Sequence, residues 1–179
     1  YYGEYKQKDR MVYICRCVLS SKILFSSHIN PNMKVKPGAY NVHRLKNEEL
    51  KNAPTIHKVA EQIFNALNGK KVICFYPDLT RECLRNSLSQ KYKDMTFMNM
   101  LRYFIDNNLF MDLQYEYFER ELPSQYDYCD TYFGRVPFKQ VLEEYDIPYP
   151  HRYRRAESDA LAVANLCQIM IEKDILQLE

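Results

Sequence analysis

The segment from Arg152 to Ile171, RYRRAESDALAVANLCQIMI, constrains this chain more than any other. Its apolar residues recur at Ala156, Ala160, Val163, Ala164, Cys167, Met170 and Ile171, the three-and-four spacing of one buried helix face. Asp159 interrupts the pattern. It lies one turn before Val163, on the side shared with Val163, Leu166 and Met170, so its carboxylate is predicted to point at the protein. An uncompensated carboxylate there costs on the order of several kcal/mol or shifts its pKa. A positive partner is required, either a metal ion or one of the arginines just upstream.

The 179 residues suffice for one domain with a full core, and residues 1–179 read as a single domain. The chain is 46% hydrophobic and 27% charged, and neither bias is strong enough to suggest disorder or a membrane protein. No apolar run approaches the ~20 residues of a membrane span, so no membrane partner is expected. No signal-peptide pattern is present. The chain begins at Tyr1 without a methionine, and its natural start is expected upstream. A net charge of +2 neither requires nor excludes a nucleic-acid partner, since local patches decide. The cysteines, Cys15, Cys17, Cys74, Cys83, Cys129 and Cys167, form no CxxC pair, and four lie in apolar segments. Reduced core thiols are expected, pointing to cytoplasm or nucleus.

Met11 to Val18 and Ile23 to Ile29 read as two strands of a hairpin through Ser20-Ser21-Lys22. A loop is expected from Met33 to about Leu45, with Pro37-Gly38 as a turn, and one helical turn at Asn47 to Lys51. Thr55 is a suitable N-cap for a helix carrying Ile56, Val59, Ile63 and Leu67, with Gly69 as its stop. Lys71 to Tyr76 reads as a buried strand, and Asp78 as the cap of a helix to about Lys91. Thr96 to Asn107 is helical; Leu109 to Tyr117 is ambiguous; Tyr126 to Gly134 reads as loop. Pro137 opens an amphipathic helix through Phe138, Val141, Leu142 and Tyr145, and the two prolines in Ile147 to Pro150 force extended backbone. Strands first, then strands alternating with helices, predict an α/β domain with a central mixed β-sheet flanked by helices.

Arg154-Arg155-Ala156-Glu157-Ser158-Asp159-Ala160 resembles the final motif of the DEDDh-type, DnaQ-like exonucleases of the ribonuclease H-like fold, His-Arg-Ala, two variable residues, Asp-Ala. Other landmarks fall in order. Phe25 to Pro31 (FSSHINP) is similar to the strand ending in an Asn-Pro turn. Gly38 to Pro54 resembles the segment around the "HGI" stretch, with His43 at its histidine, and Phe138 to Ile147 resembles the helix preceding the final motif. The resemblance spans residues 11–172.

It implies a ribonuclease H-like exonuclease fold. In that family four carboxylates hold two divalent cations, magnesium or manganese, and a histidine activates water for phosphodiester hydrolysis. The set is depleted here. Tyr2-Gly3-Glu4 is the nearest match to the first Asp-x-Glu motif, with Tyr2 in place of aspartate, unless that motif lies upstream of Tyr1. Thr80 stands at the second-motif aspartate, with Asp78 two residues away. Arg154, which keeps its proton near neutral pH, stands at the general base. Only Asp159 matches.

Structural readings compete with each of these. Asp159 pairs more readily with Arg154 or Arg155 than with a metal; Asp78 is a helix cap, Glu4 a solvated residue, and His151 a loop residue. His28 and His43 are expected in core or loop, bonded to backbone. Zinc is not expected, because inactive relatives with a zinc site carry Cys-x-x-His where Arg152 and Arg155 stand. Arg152-Tyr153-Arg154-Arg155, with Lys70, Lys71, Arg81 and Arg85, can track a phosphate backbone while tyrosines stack on bases. The expectation is a catalytically degenerate domain needing no cofactor and serving as a scaffold for RNA, DNA or protein. The alternative is an active 3′–5′ exonuclease with its metals on Asp159, Asp78 and Glu4.

Overall fold

The β-branched and aromatic runs near the start of the chain pair with each other. In the computed structural model, which describes residues 13–17, 23–89, 95–107, 110–121, 136–148 and 156–177, Tyr13–Cys17 (β1) and Ile23–His28 (β2) run antiparallel. Tyr13 lies opposite His28, and the register shifts between Arg16 and Cys17. Pro37–His43 (α1), Asn47–Lys51 (α2) and Ile56–Leu67 (α3) follow. Val72–Cys74 (β3) leads into Pro77–Leu88 (α4), and Thr96–Asn107 (α5) into Phe110–Asp112 (β4) and Leu113–Glu121 (α6). Phe138–Glu144 (α7) and Ala156–Glu172 (α8) come last.

Local chemistry explains most of these boundaries, and three depart from expectation. Pro37-Gly38 opens a helix instead of a turn: Pro37 sits in the first turn, where its fixed φ suits a helix and its missing N–H costs nothing. Seven residues without a buried side chain left no periodicity to read. Thr55 is the N-cap of α3, yet its hydroxyl makes no capping bond, and its carbonyl accepts the Lys58 N–H at 3.0 Å. Gly69, at φ 68°, supplies the left-handed residue beyond α3. Asp78 is not a cap. The N-cap of α4 is Tyr76, and Asp78 is an exposed residue of the first turn. The ambiguous 109–117 region resolves into β4 and α6 because Asp112 Oδ1 accepts the Gln114 N–H at 2.9 Å and starts the helix. The loop expected at 126–134 and the segment 149–155 lie outside the described residues.

β3 and β4 run parallel, with Val72 opposite Phe110, Ile73 opposite Met111 and Cys74 opposite Asp112. The pleat sends alternate residues to two cores. Val72, Cys74 and Phe110 pack with Ile56, Val59 and Ile63 of α3, Leu84 and Leu88 of α4, and Leu101 and Ile105 of α5. Ile73, Phe75 and Met111 pack with Leu113 and Tyr117 of α6, Val141 and Leu142 of α7, and Leu166 and Met170 of α8. The fold is therefore α/β, with helices on both faces of the parallel pair. Parallel and antiparallel pairings both occur; among the described residues they form two two-stranded units.

Candidate functional site

The end of β3 carries the polar cluster of the molecule. Beyond Cys74 the backbone turns through Tyr76, whose φ of 84° is a costly conformation for a bulky residue. Pro77 then starts α4 and brings Thr80 and Arg81, both half-buried, back over the strand ends. Thr80 is hydrogen-bonded to the Cys74 thiol. Burial pushes that thiol up to about 11; the Thr80 bond and the Arg81 cation pull it down, and the Asp112 charge adds to the rise. The Arg81 guanidinium lies 4.8 Å from the centre of the Phe110 ring, and its Nε is buried.

Asp112 was not anticipated as part of this cluster. Burial raises its pKa above the usual carboxylate value; hydrogen bonds from the Gln114 and Tyr115 amides oppose the rise, and the charge of Asp78 adds to it. The charge of Asp78 is thus felt by Asp112 at the carboxyl end of the parallel pair. The sequence signal was there in hindsight: Asp112 precedes a helical run by one residue.

Asp159 sits in the first turn of α8, where a carboxylate is favoured by the helix dipole. Its residue is half-buried and its Oδ1 is withdrawn from water, as the inward-facing reading required. The fully buried stripe of α8 is offset from the expected one, however, running Ser158, Ala162, Leu166, Cys167 and Met170. Ser158 is 1% exposed, and its hydroxyl has no hydrogen-bond partner among the described residues. α8 packs against β1 and β3, and Ser158 and Ala162, small side chains one turn apart, are on its buried face. Helical periodicity gives the face to within one residue; the neighbouring strands choose which residue goes deepest.

The remaining candidates scatter. Lys70 and Lys71 are exposed between α3 and β3, whereas Arg81 is turned across Phe110. Arg85 is paired with Asp106 at 2.9 Å on the surface. His43 Nδ1 accepts the Leu45 N–H at 2.9 Å, the expected backbone role, and His28 is half-buried on β2. Tyr2, Glu4, His151, Arg152, Tyr153, Arg154 and Arg155 lie outside the described residues, so the structure does not place them relative to Asp159.

This arrangement has counterparts among solved structures. The nuclease domain of 3′hExo, a DEDDh family member, bound to rAMP, matches with a TM-score of 0.63 at 10% identity, over 94% of this chain and 93% of that one. The fold is that of a DEDDh-type exonuclease domain. A full-length 3′-exonuclease matches at 0.61 and 12% identity, over 95% of this chain and 64% of that one. The cell-death related nuclease 4 (CRN-4) matches at 0.56 and 17% identity, over 86% of this chain and 53% of that one, so this chain spans about half that nuclease's length. No protein-family model and no curated protein sequence matches.

The exonuclease fold poses a chemical question about metal. Two divalent cations need a crowd of anionic oxygens. Among the described residues, no group of three or more histidines, cysteines, aspartates and glutamates lies close enough to hold a metal ion. Thr80, which the sequence resemblance aligns with the second-motif aspartate, offers a neutral hydroxyl already bonded to a protonated thiol, with a guanidinium beside it. A neutral donor next to a cation does not fit a magnesium ligand. The described donor set does not match the two-metal centre.

Proposed function

We propose that this chain is an exonuclease-like domain that binds single-stranded nucleic acid, RNA in preference to DNA, without hydrolysing it, and that it serves as a docking scaffold for a protein partner. Thr80 carries the reading. At the position where the resemblance calls for an aspartate, the chain has a hydroxyl that hydrogen-bonds Cys74. The sequence adds Arg154 at the general-base position. No divalent cofactor is needed for binding alone. RNA is supported by the neighbours: one nuclease domain is bound to rAMP, and a 3′-exonuclease recognises the 3′ end of a histone mRNA stem-loop. Cys74, Cys83 and Cys167 form no disulfide among the described residues, which supports a reducing compartment, cytoplasm or nucleus.

A second reading, an active metal-dependent 3′–5′ exonuclease, draws on Asp78, whose charge raises the pKa of Asp112 at the strand ends. With Asp159 and Glu4 these two carboxylates could supply displaced ligands. The deciding experiment incubates labelled single-stranded RNA and DNA with the protein and magnesium or manganese, beside Asp159→Ala. RNA retention without shortening is expected. Metal-dependent trimming that Asp159→Ala abolishes would establish the enzyme and end the scaffold reading.

A further inference from the structure

We propose that the surface of α1, α2 and the start of α3 is a phosphate-tracking contact for single-stranded RNA, made of residues other than the motif positions; this rests on the reading of the chain as a nucleic-acid-binding domain. Its basis is where charge lies. Residues 30–58 carry six lysines and arginines against two glutamates, while the rest of the chain carries nineteen against twenty-one. The net positive charge of the protein therefore resides in this one segment. All six cations, Lys34, Lys36, Arg44, Lys46, Lys51 and Lys58, are exposed.

The fold gathers them. Asn47 Oδ1 accepts the Val35 N–H at 2.8 Å, tying the loop at Lys34 and Lys36 to the start of α2 beside Lys46. The Asn30 side chain donates to the Lys51 carbonyl at 3.2 Å, and the Asn30 backbone bridges to Thr55, which brings the end of α2 and the start of α3 together. Lys34, Lys46, Lys51 and Lys58 enter no ion pair among the described residues, in contrast to Arg85 and Lys139, which are neutralised by Asp106 and Glu143. Of the two acids in the segment, Glu49 is turned to the Lys46 backbone N–H at 2.7 Å as a local cap; Glu48 is exposed. Beside the lysines, the Arg44 guanidinium lies 5.6 Å from the centre of the Tyr40 ring, a flat pair on which a base can stack. Lysine point charges read phosphate spacing and not base edges, so the contact is salt-sensitive and indifferent to sequence.

The test measures binding of a fluorescein-labelled oligouridylate to the full chain by anisotropy, from 50 to 200 mM salt. The wild type is compared with a fourfold variant (Lys34→Ala, Lys46→Ala, Lys51→Ala, Lys58→Ala) and with the same four positions changed to arginine. Each lost phosphate contact lowers the salt slope by about 0.7, so the alanine variant should be shallower by about 3. Over that salt range the wild type then loses roughly fifty-fold more affinity than the alanine variant. The arginine variant should match wild type, and thermal melting shows whether either variant is folded. Wild-type binding that the alanine variant retains, slope included, overturns this surface and leaves the nucleic-acid reading standing. No wild-type binding overturns both, and retention on polyglutamate without RNA binding assigns the surface to an acidic protein instead.

Discussion

The Cys74 thiol and the Thr80 hydroxyl are hydrogen-bonded to each other across the turn that joins β3 to α4. By the sequence resemblance, Thr80 stands where the second motif would have an aspartate. The bond also buries a protonated sulfur beside Asp112, its register partner on β4. Four predictions bear on this junction and on the packing around it.

Thr80→Asp should not confer metal-dependent cleavage, and it should destabilise the fold. The new carboxylate would be half-buried near Asp112 and a neutral thiol, with Arg81 engaged over Phe110. The expected loss is about 1–3 kcal/mol, read from urea unfolding. Unchanged stability together with magnesium-dependent RNA shortening would show that the site needed only one carboxylate to become a metal centre.

Asp112 should make stability fall as pH rises from acid. Its carboxyl is raised above 3.8 in the folded chain by burial, with Asp78 adding to the rise. The folded state therefore holds that proton more tightly than the unfolded state, a stabilisation fully present below the unfolded value and lost as pH rises through the folded one. Asp112→Asn, which keeps an N-cap acceptor, should gain stability relative to wild type between strongly acidic and neutral pH. Urea midpoints for both proteins across that window check the sign; a constant difference would remove the assignment.

Cys74 and Cys167 should resist alkylation in the native state. Burial lifts both thiols from 9.0 to about 11. At pH 8 their thiolate fraction falls roughly a hundredfold below that of an ordinary thiol. Iodoacetamide labelling followed by peptide mass spectrometry, with and without urea, should show both residues protected until the chain unfolds. Rapid native labelling of Cys74 would contradict its place at the β3–α4 junction.

Packing should outweigh surface charge. Leu101, fully buried in α5, should cost about 2–5 kcal/mol as alanine. Tyr117→Phe, which removes the hydroxyl donated to Glu144, should cost about 1–3 kcal/mol. Breaking the exposed Arg85–Asp106 pair with Arg85→Ala should cost no more than about 1 kcal/mol. Denaturant unfolding of the three variants ranks them, and a loss at Arg85 as large as at Leu101 would mean the surface pair is coupled to the core.

Elements that bury one face were legible from the residues alone. The periodicities of α3, α5 and α8 and the β-branched runs of β1 and β2 each report a surface that must leave water, and each fell where expected. So did the departure of Asp159 from its apolar helix, because a carboxylate among alanines is a local contradiction visible without coordinates. α1 escaped because it buries nothing, and the capping role read at Asp78 failed because the helix starts at Pro77, two residues earlier than an Asp78 cap would place it.

What the amino-acid order determined, then, is which stretches fold, which faces turn inward, and that Thr80 carries no anion and Arg154 no proton acceptor near neutral pH. Tertiary structure alone decided that Cys74, Thr80, Arg81 and Asp112 meet at one point, and that the six cations of residues 30–58 all stay exposed. Periodicity reports burial along one element, whereas the pairing of β3 with β4 joins residues nearly forty positions apart, a contact that no local pattern encodes.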